Sequence, residues 1–286
     1  MLPSPTPQYE GTNEGNQLSS VCCSELFLHH PILISHSDLM AGRTSKRTVG
    51  VSLKMYFDLE STAQYIRDCA PLAPHALSHN VDIFIIPDFL SLAATSTTLR
   101  LEAPTIRLGA QDCFWEDNGA YTGEVSPVVL KHIGCSLVEL GHAERRRLFG
   151  ETDAQVAKKA KAAVRNGMTP LVCIGEKTKG TVEEAVAECR SQIESVLEVT
   201  DEEIIFAYEP VWAIGQPKPA SAEYVVRVAK ELRKLCGTRP VQFLYGGSAG
   251  PGTFEAMKEG VDGLFLGRFA HDTKRFSEVI SEVGMP

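Results

Sequence analysis

The sequence predicts a single α/β domain, an eightfold β/α barrel, preceded by a disordered N-terminal extension. Three observations predict it. Eight short apolar runs recur along the chain, and longer amphipathic runs separate them. Strands that alternate with helices in this way lie parallel, and eight of them suffice to close the sheet on itself. No Gly-x-Gly-x-x-Gly opens the first helix, so an open, dinucleotide-binding sheet lacks its main signature.

Taken in order, residues 1–46 are rich in Ser, Pro, Asn, Gly and His with no sustained period, which marks an extension; the barrel is expected over residues 47–286. Met40 stands just before the first strand and would serve as an alternative start, making residues 1–39 an overlong reading of the gene. Strands are expected at 48–53, 81–87, 105–111, 136–142, 170–175, 204–209, 241–246 and 262–268. Between them, residues 153–166 carry Val156, Ala160 and Ala163 on one helical face, and residues 181–199 carry Val182, Val186, Ile193 and Val196.

The bulk properties bound the function. With 286 residues, 43% of them hydrophobic, the chain has enough apolar material for one large core. A formal charge of -8 and a pI near 5.5 exclude nucleic acid or an anionic membrane as a partner held by general electrostatics. The start lacks the basic segment and apolar core of a secretory signal, and a cytoplasmic protein is expected. The eight cysteines fall at irregular spacings, which fits buried free thiols better than disulfides or a metal site.

In such a barrel the reacting groups sit at the C-terminal ends of the strands. Those ends carry Lys54, His142 with Glu144, Glu209, Gly246-Gly247-Ser248 and Gly267-Arg268. Singly each is weak, since a lone Lys is usually solvated and a Gly-Gly pair is usually a turn. Together they supply a base, an electrophile, a cation and two phosphate loops.

Three segments carry a family resemblance: Val138-Glu-Leu-Gly-His142-Ala-Glu144-Arg-Arg, Ala207-Tyr-Glu209-Pro-Val-Trp-Ala-Ile-Gly215 and Leu244-Tyr-Gly-Gly-Ser248. They resemble the motifs of triosephosphate isomerases. Matches at Gly109-Ala-Gln-Asp, Cys173-Ile-Gly-Glu and Val261-Asp-Gly extend the likeness from about residue 47 to the C-terminus. The resemblance implies a TIM barrel that interconverts glyceraldehyde 3-phosphate and dihydroxyacetone phosphate through an enediolate in glycolysis and gluconeogenesis, with no cofactor and no metal. It assigns Glu209 as base, His142 as neutral electrophile, Lys54 as the cation beside carbonyl and phosphate, and Glu144 as a supporting carboxylate. Arg145 and Arg146 would extend that charge network or pair at a surface or dimer contact. Backbone N–H groups at Gly215, Ser248 and Gly267 would hold the phosphate. Residues 210–215, followed by Lys218 and Ala220, resemble a closing lid, and the loop containing Thr122 resembles a homodimer arm.

Three positions depart from the family pattern. Ser52 stands where the motif Asn-x-Lys-Met-Asn begins, Ala143 replaces a serine, and Arg268 replaces the second glycine of a Gly-Gly pair. Arg268 would contact the substrate phosphate bidentately or turn outward to a carboxylate. The Gly267-Arg268 pair and residues 219–223 also resemble the isomerase branch that acts on four-carbon ketose phosphates such as erythrulose phosphate. Two further alternatives are a non-catalytic phosphate-binding relative and a barrel lyase using a Schiff-base lysine.

Overall fold

The computed structural model describes residues 47–216 and 218–285, so the expected extension over residues 1–46 lies outside the described residues. Eight strands are present: β1 (Arg47–Ser52), β2 (Val81–Ile86), β3 (Arg107–Ala110), β4 (Leu137–Leu140), β5 (Thr169–Ile174), β6 (Ile204–Tyr208), β7 (Val241–Tyr245) and β8 (Gly263–Leu266). Each pairs in parallel with the next, and β8 pairs with β1 to close the barrel. Outside run α1 (Leu59–Cys69), α2 (Leu72–Ser78), α3 (Leu92–Glu102), α4 (Pro127–Ile133), α5 (Ala143–Phe149), α6 (Asp153–Arg165), α7 (Val182–Leu197), α8 (Ala222–Leu235), α9 (Thr253–Met257) and α10 (Thr273–Gly284).

The helices start and face as their sequences direct. Thr152 with Gln155, and Thr181 with Glu184, form reciprocal capping boxes that satisfy the first N–H groups of α6 and α7. Val156, Ala160 and Ala163 of α6 are buried as expected. On α7 the buried stripe runs through Ala185, Cys189, Ile193 and Val196, while Val186 is only half-buried. The six cysteines among the described residues are free and buried.

Two apolar layers position the site. The larger lies between sheet and helices, and the smaller fills the barrel with Phe84, Ile86, Leu137, Leu171, Ile205, Leu244 and Phe265. Phe84 fits only because residue 50 is glycine: a Cβ there would stand 2.1 Å from the Phe84 ring. The barrel is therefore plugged below its mouth and presents a solid floor to anything bound above.

All eight strands end one or two residues earlier than the apolar runs suggested. The chain turns where its polar residues begin: Lys54 has φ 50° and Gly141 has φ 68°, both left-handed conformations incompatible with a continuing strand. Among the described residues no helix is long and apolar enough to cross a membrane.

Candidate active site

A cavity of about 550 Å³ opens at the C-terminal mouth of the barrel. Ser52, Lys54, His142, Glu144 and Glu209 line it, and Gly215, Ser248, Gly267 and Arg268 line it too. The residues singled out at separate strand ends thus meet in one place.

Glu209 follows β6 and is only 4% exposed. Its Oε2 is buried without a hydrogen-bond partner among the described residues and lies 3.5 Å from His142 Nε2. Gly246 makes room for this carboxyl, since a Cβ there would come 2.5 Å from Oε1. Burial pushes the carboxyl up to about 8, against the pull of the Lys54 charge. A buried carboxyl with an unpaired oxygen and a pKa near neutrality has the properties of a general base.

His142 caps the N-terminus of α5, and its Nδ1 accepts the backbone N–H of Glu144 at 3.2 Å. With Nδ1 acting as acceptor, the single proton of a neutral ring must sit on Nε2, which faces the cavity. Burial, followed by the nearby Lys54 charge, pushes the imidazole down to about 4, so the ring is neutral at pH 7.

Lys54 Nζ lies 2.8 Å from Glu144 Oε1 and 3.3 Å from His142 Nε2. Gln111 Nε2 donates to the Lys54 carbonyl at 2.8 Å, holding the left-handed turn. Burial acts to lower the ammonium pKa, but the Glu144 hydrogen bond and the charges of Glu209 and Glu144 outweigh it, so it stays charged. Conversely, burial acts to raise the Glu144 pKa, and the Lys54 hydrogen bond overrides it and leaves the carboxyl below its ordinary value. The lysine ammonium and the imidazole Nε2–H, both donors, converge on one point beside the base. That arrangement suits an oxyanion.

Arg145 and Arg146 pair within the chain. Arg145 Nε stands 2.8 Å from Asp112, and Arg146 contacts Asp153 at 2.6 Å while its Nε donates to the Gly141 carbonyl. They brace the turn carrying His142.

Across the cavity, Gly215 (φ 71°) and Gly267 face open space, with nothing within 4 Å of where a Cβ would stand. Ser248 Oγ donates to the Ala213 carbonyl at 3.2 Å, tying the β7 loop to the segment after β6. That segment makes a short 3-10 turn, Val211–Ala213, clamped on both sides. Trp212 Nε1 donates to the buried Glu176 at 2.7 Å, and the Ala220 N–H donates to the Tyr245 hydroxyl at 3.0 Å. Arg268 stands exposed at the rim, its guanidinium 5.9 Å from the centre of the Tyr56 ring.

Four residues escaped the sequence reading. Glu176 and Tyr245 hold the segment after β6, and Tyr56 joins the cavity wall near Arg268. Glu139, only 3% exposed inside the barrel, accepts the Ser52 hydroxyl at 2.8 Å. A visible signal existed for Glu139: a carboxylate in the middle of the otherwise apolar strand Leu137–Leu140 is an expensive burial that calls for a reason.

The family model for triosephosphate isomerase matches residues 47–283. The chain is 43% identical over 249 residues to the L-erythrulose-1-phosphate isomerase of Pectobacterium atrosepticum, covering 83% of this chain and 95% of that protein. It is 42% identical over 248 residues to the L-erythrulose-1-phosphate isomerase of Rhizobium etli, covering 82% and 91%. To the Brucella abortus protein of the same name it is 37% identical over 251 residues, covering 83% and 96%.

Proposed function

Since the chain belongs to the triosephosphate isomerase family, we propose that it is an isomerase of a four-carbon ketose phosphate, interconverting the two erythrulose phosphates through an enediolate. The relatives named for L-erythrulose 1-phosphate support four carbons over the triose phosphate that the catalytic motifs alone suggested. One observation carries the chemistry: Glu209 Oε2, without a hydrogen-bond partner among the described residues, lies 3.5 Å from His142 Nε2, with Lys54 Nζ 3.3 Å from that same nitrogen.

With phosphate on C1 and the ketone at C2, Glu209 takes the proton on C3. The released electron pair forms the C2–C3 double bond, and the carbonyl electrons move onto the C2 oxygen. The His142 Nε2–H and the Lys54 ammonium stabilise the charge that develops there. The C3 hydroxyl gives up its proton as the C2 oxygen gains one, and Glu209 returns its own proton to C2. A ketone then stands at C3, so the product is again a ketose phosphate, and no redox partner enters.

Phosphate binding is assigned to the corner formed by Gly215, Ser248 and Gly267, where open backbone permits close approach. The clamped lid excludes water and restrains loss of phosphate from the enediolate. The four-carbon substrate carries a hydroxymethyl group on C3 where the triose has hydrogen, and Ser52, shorter than an asparagine, leaves space for it. A homodimer is also proposed, with the exposed loop around Thr122 as its arm, supported by the family resemblance and that loop's exposure.

The test is a comparison of kcat/KM for L-erythrulose 1-phosphate and dihydroxyacetone phosphate with the full chain. A clear preference for the four-carbon compound is expected. Equal or better turnover of the triose overturns the substrate reading, and turnover of neither overturns the assignment of these catalytic roles.

A further inference from the structure

Leu137 and Glu139 of β4 both face the barrel interior, and Glu139 brings a carboxyl into a layer built mainly of hydrocarbon. It does not line the cavity; Ser52 does. Ser52 is 2% exposed, and its Oγ donates to Glu139 Oε2 at 2.8 Å. A hydroxyl has one hydrogen and two lone pairs. With that hydrogen committed to Glu139, Ser52 turns only lone pairs toward the cavity, whereas an asparagine amide at the same place offers N–H donors.

An acceptor there does nothing for the enediolate oxygens, which Lys54 and His142 already serve as donors. It does suit a substrate hydroxyl. The four-carbon ketose phosphate carries an additional one, on the hydroxymethyl carbon C4 that takes the place of a hydrogen in the triose. We propose that Glu139 is a positioning residue that turns Ser52 into a hydrogen-bond acceptor for the terminal hydroxyl of a four-carbon ketose phosphate, and that the pair sets the preference for four carbons over three. This rests on the four-carbon reading above.

The pair also predicts how the preference varies with pH. Burial pushes Glu139 up to about 7, with the Ser52 hydrogen bond and Lys54 pulling down and Glu144 and Asp112 pushing up. Glu209 and the buried Cys173 thiol face it as well. Above that pH the carboxylate holds the Ser52 hydrogen, and Ser52 is an acceptor. Below it the acid donates to Ser52 Oγ, and the serine hydrogen is released toward the cavity. The four-carbon preference therefore falls as pH drops through 7. Titration of Glu209 acts on both substrates and cancels in their ratio.

The experiment measures the ratio of kcat/KM for L-erythrulose 1-phosphate over dihydroxyacetone phosphate, from about pH 6 to about pH 8.5, in the wild type, Ser52→Ala and Glu139→Gln. Ser52→Ala is expected to lower the ratio on the order of tenfold, the worth of one hydrogen bond to substrate. Glu139→Gln is expected to lower it and to abolish its change across pH 7. An unchanged ratio in Ser52→Ala overturns the proposal. So does a Glu139→Gln that slows both substrates equally while the wild-type ratio stays flat with pH. Should Glu139→Gln fail to fold, Ser52→Ala and the wild-type pH series still decide. A wild type that favours the triose throughout sinks the four-carbon function itself, while a four-carbon enzyme indifferent to Ser52→Ala sinks only this inference.

Discussion

Replacing Glu209 by Gln exchanges a buried carboxyl for an amide of the same shape, and the structure sets the size of two opposite effects. The chemical step loses its proton acceptor, a change worth roughly 100- to 10,000-fold in kcat. Stability moves the other way. Burial carries the carboxyl from 4.5 up to about 8, so between those values the folded chain holds a proton that the unfolded chain has released. The unfolded state then binds fewer protons, and stability falls as pH rises through this window. At pH 7 the deficit spans about 2.5 pH units at roughly 1.4 kcal/mol each, on the order of 3 kcal/mol. Gln carries no such linkage. Glu209→Gln is therefore expected to be more stable than the wild type by that order at pH 7, about 6–12 °C in Tm for a domain of this size. The gain should shrink toward zero near pH 4.5. Urea unfolding of both proteins at several pH values, beside an isomerase assay, checks it. Equal stability at pH 7 and pH 5 would refute the buried-carboxyl argument, and wild-type turnover would remove Glu209 from the mechanism.

Four further outcomes are expected. In the wild type, kcat/KM should decline as pH falls below about 8, where Glu209 takes up its proton, with His142 adding no loss until about 4; a profile flat from about pH 6 to about pH 8 contradicts this. Gly246→Ala places a Cβ 2.5 Å from Glu209 Oε1 and should cost roughly 100-fold in kcat with circular dichroism unchanged, because the base is displaced by about an ångström. Trp212→Phe removes the N–H donated to buried Glu176 and should loosen the lid by about 1.5–3 kcal/mol, raising inorganic phosphate released per turnover; an unaltered release ratio argues that the clamp does not govern closure. Light scattering should give twice the 31.2 kDa chain mass, with Tyr121→Asp in the exposed loop reducing it, and a monomeric wild type ends the dimer proposal.

The order of elements was legible in the sequence because it depends on local period. Alternating apolar runs and amphipathic helices marked eight strands and their parallel sense, and the apolar periods over residues 153–166 and 181–199 marked where α6 and α7 run. The strand-end residues Lys54, His142, Glu144 and Glu209 were equally visible, since a closed parallel barrel sends every such end to one mouth. What the sequence could not carry is whatever depends on distance across the barrel. The Ser52–Glu139 hydrogen bond joins residues 87 positions apart, and Trp212 reaches Glu176 from 36 positions away. The imidazole tautomer follows from one backbone N–H, and the shifts at Glu209 and Glu139 follow from how completely the neighbouring strands remove water. Period and residue type determine which groups arrive at the mouth. Which oxygen is left open, and which proton it takes, is decided by packing, because desolvation and hydrogen-bond geometry exist only once strands distant in sequence are brought together.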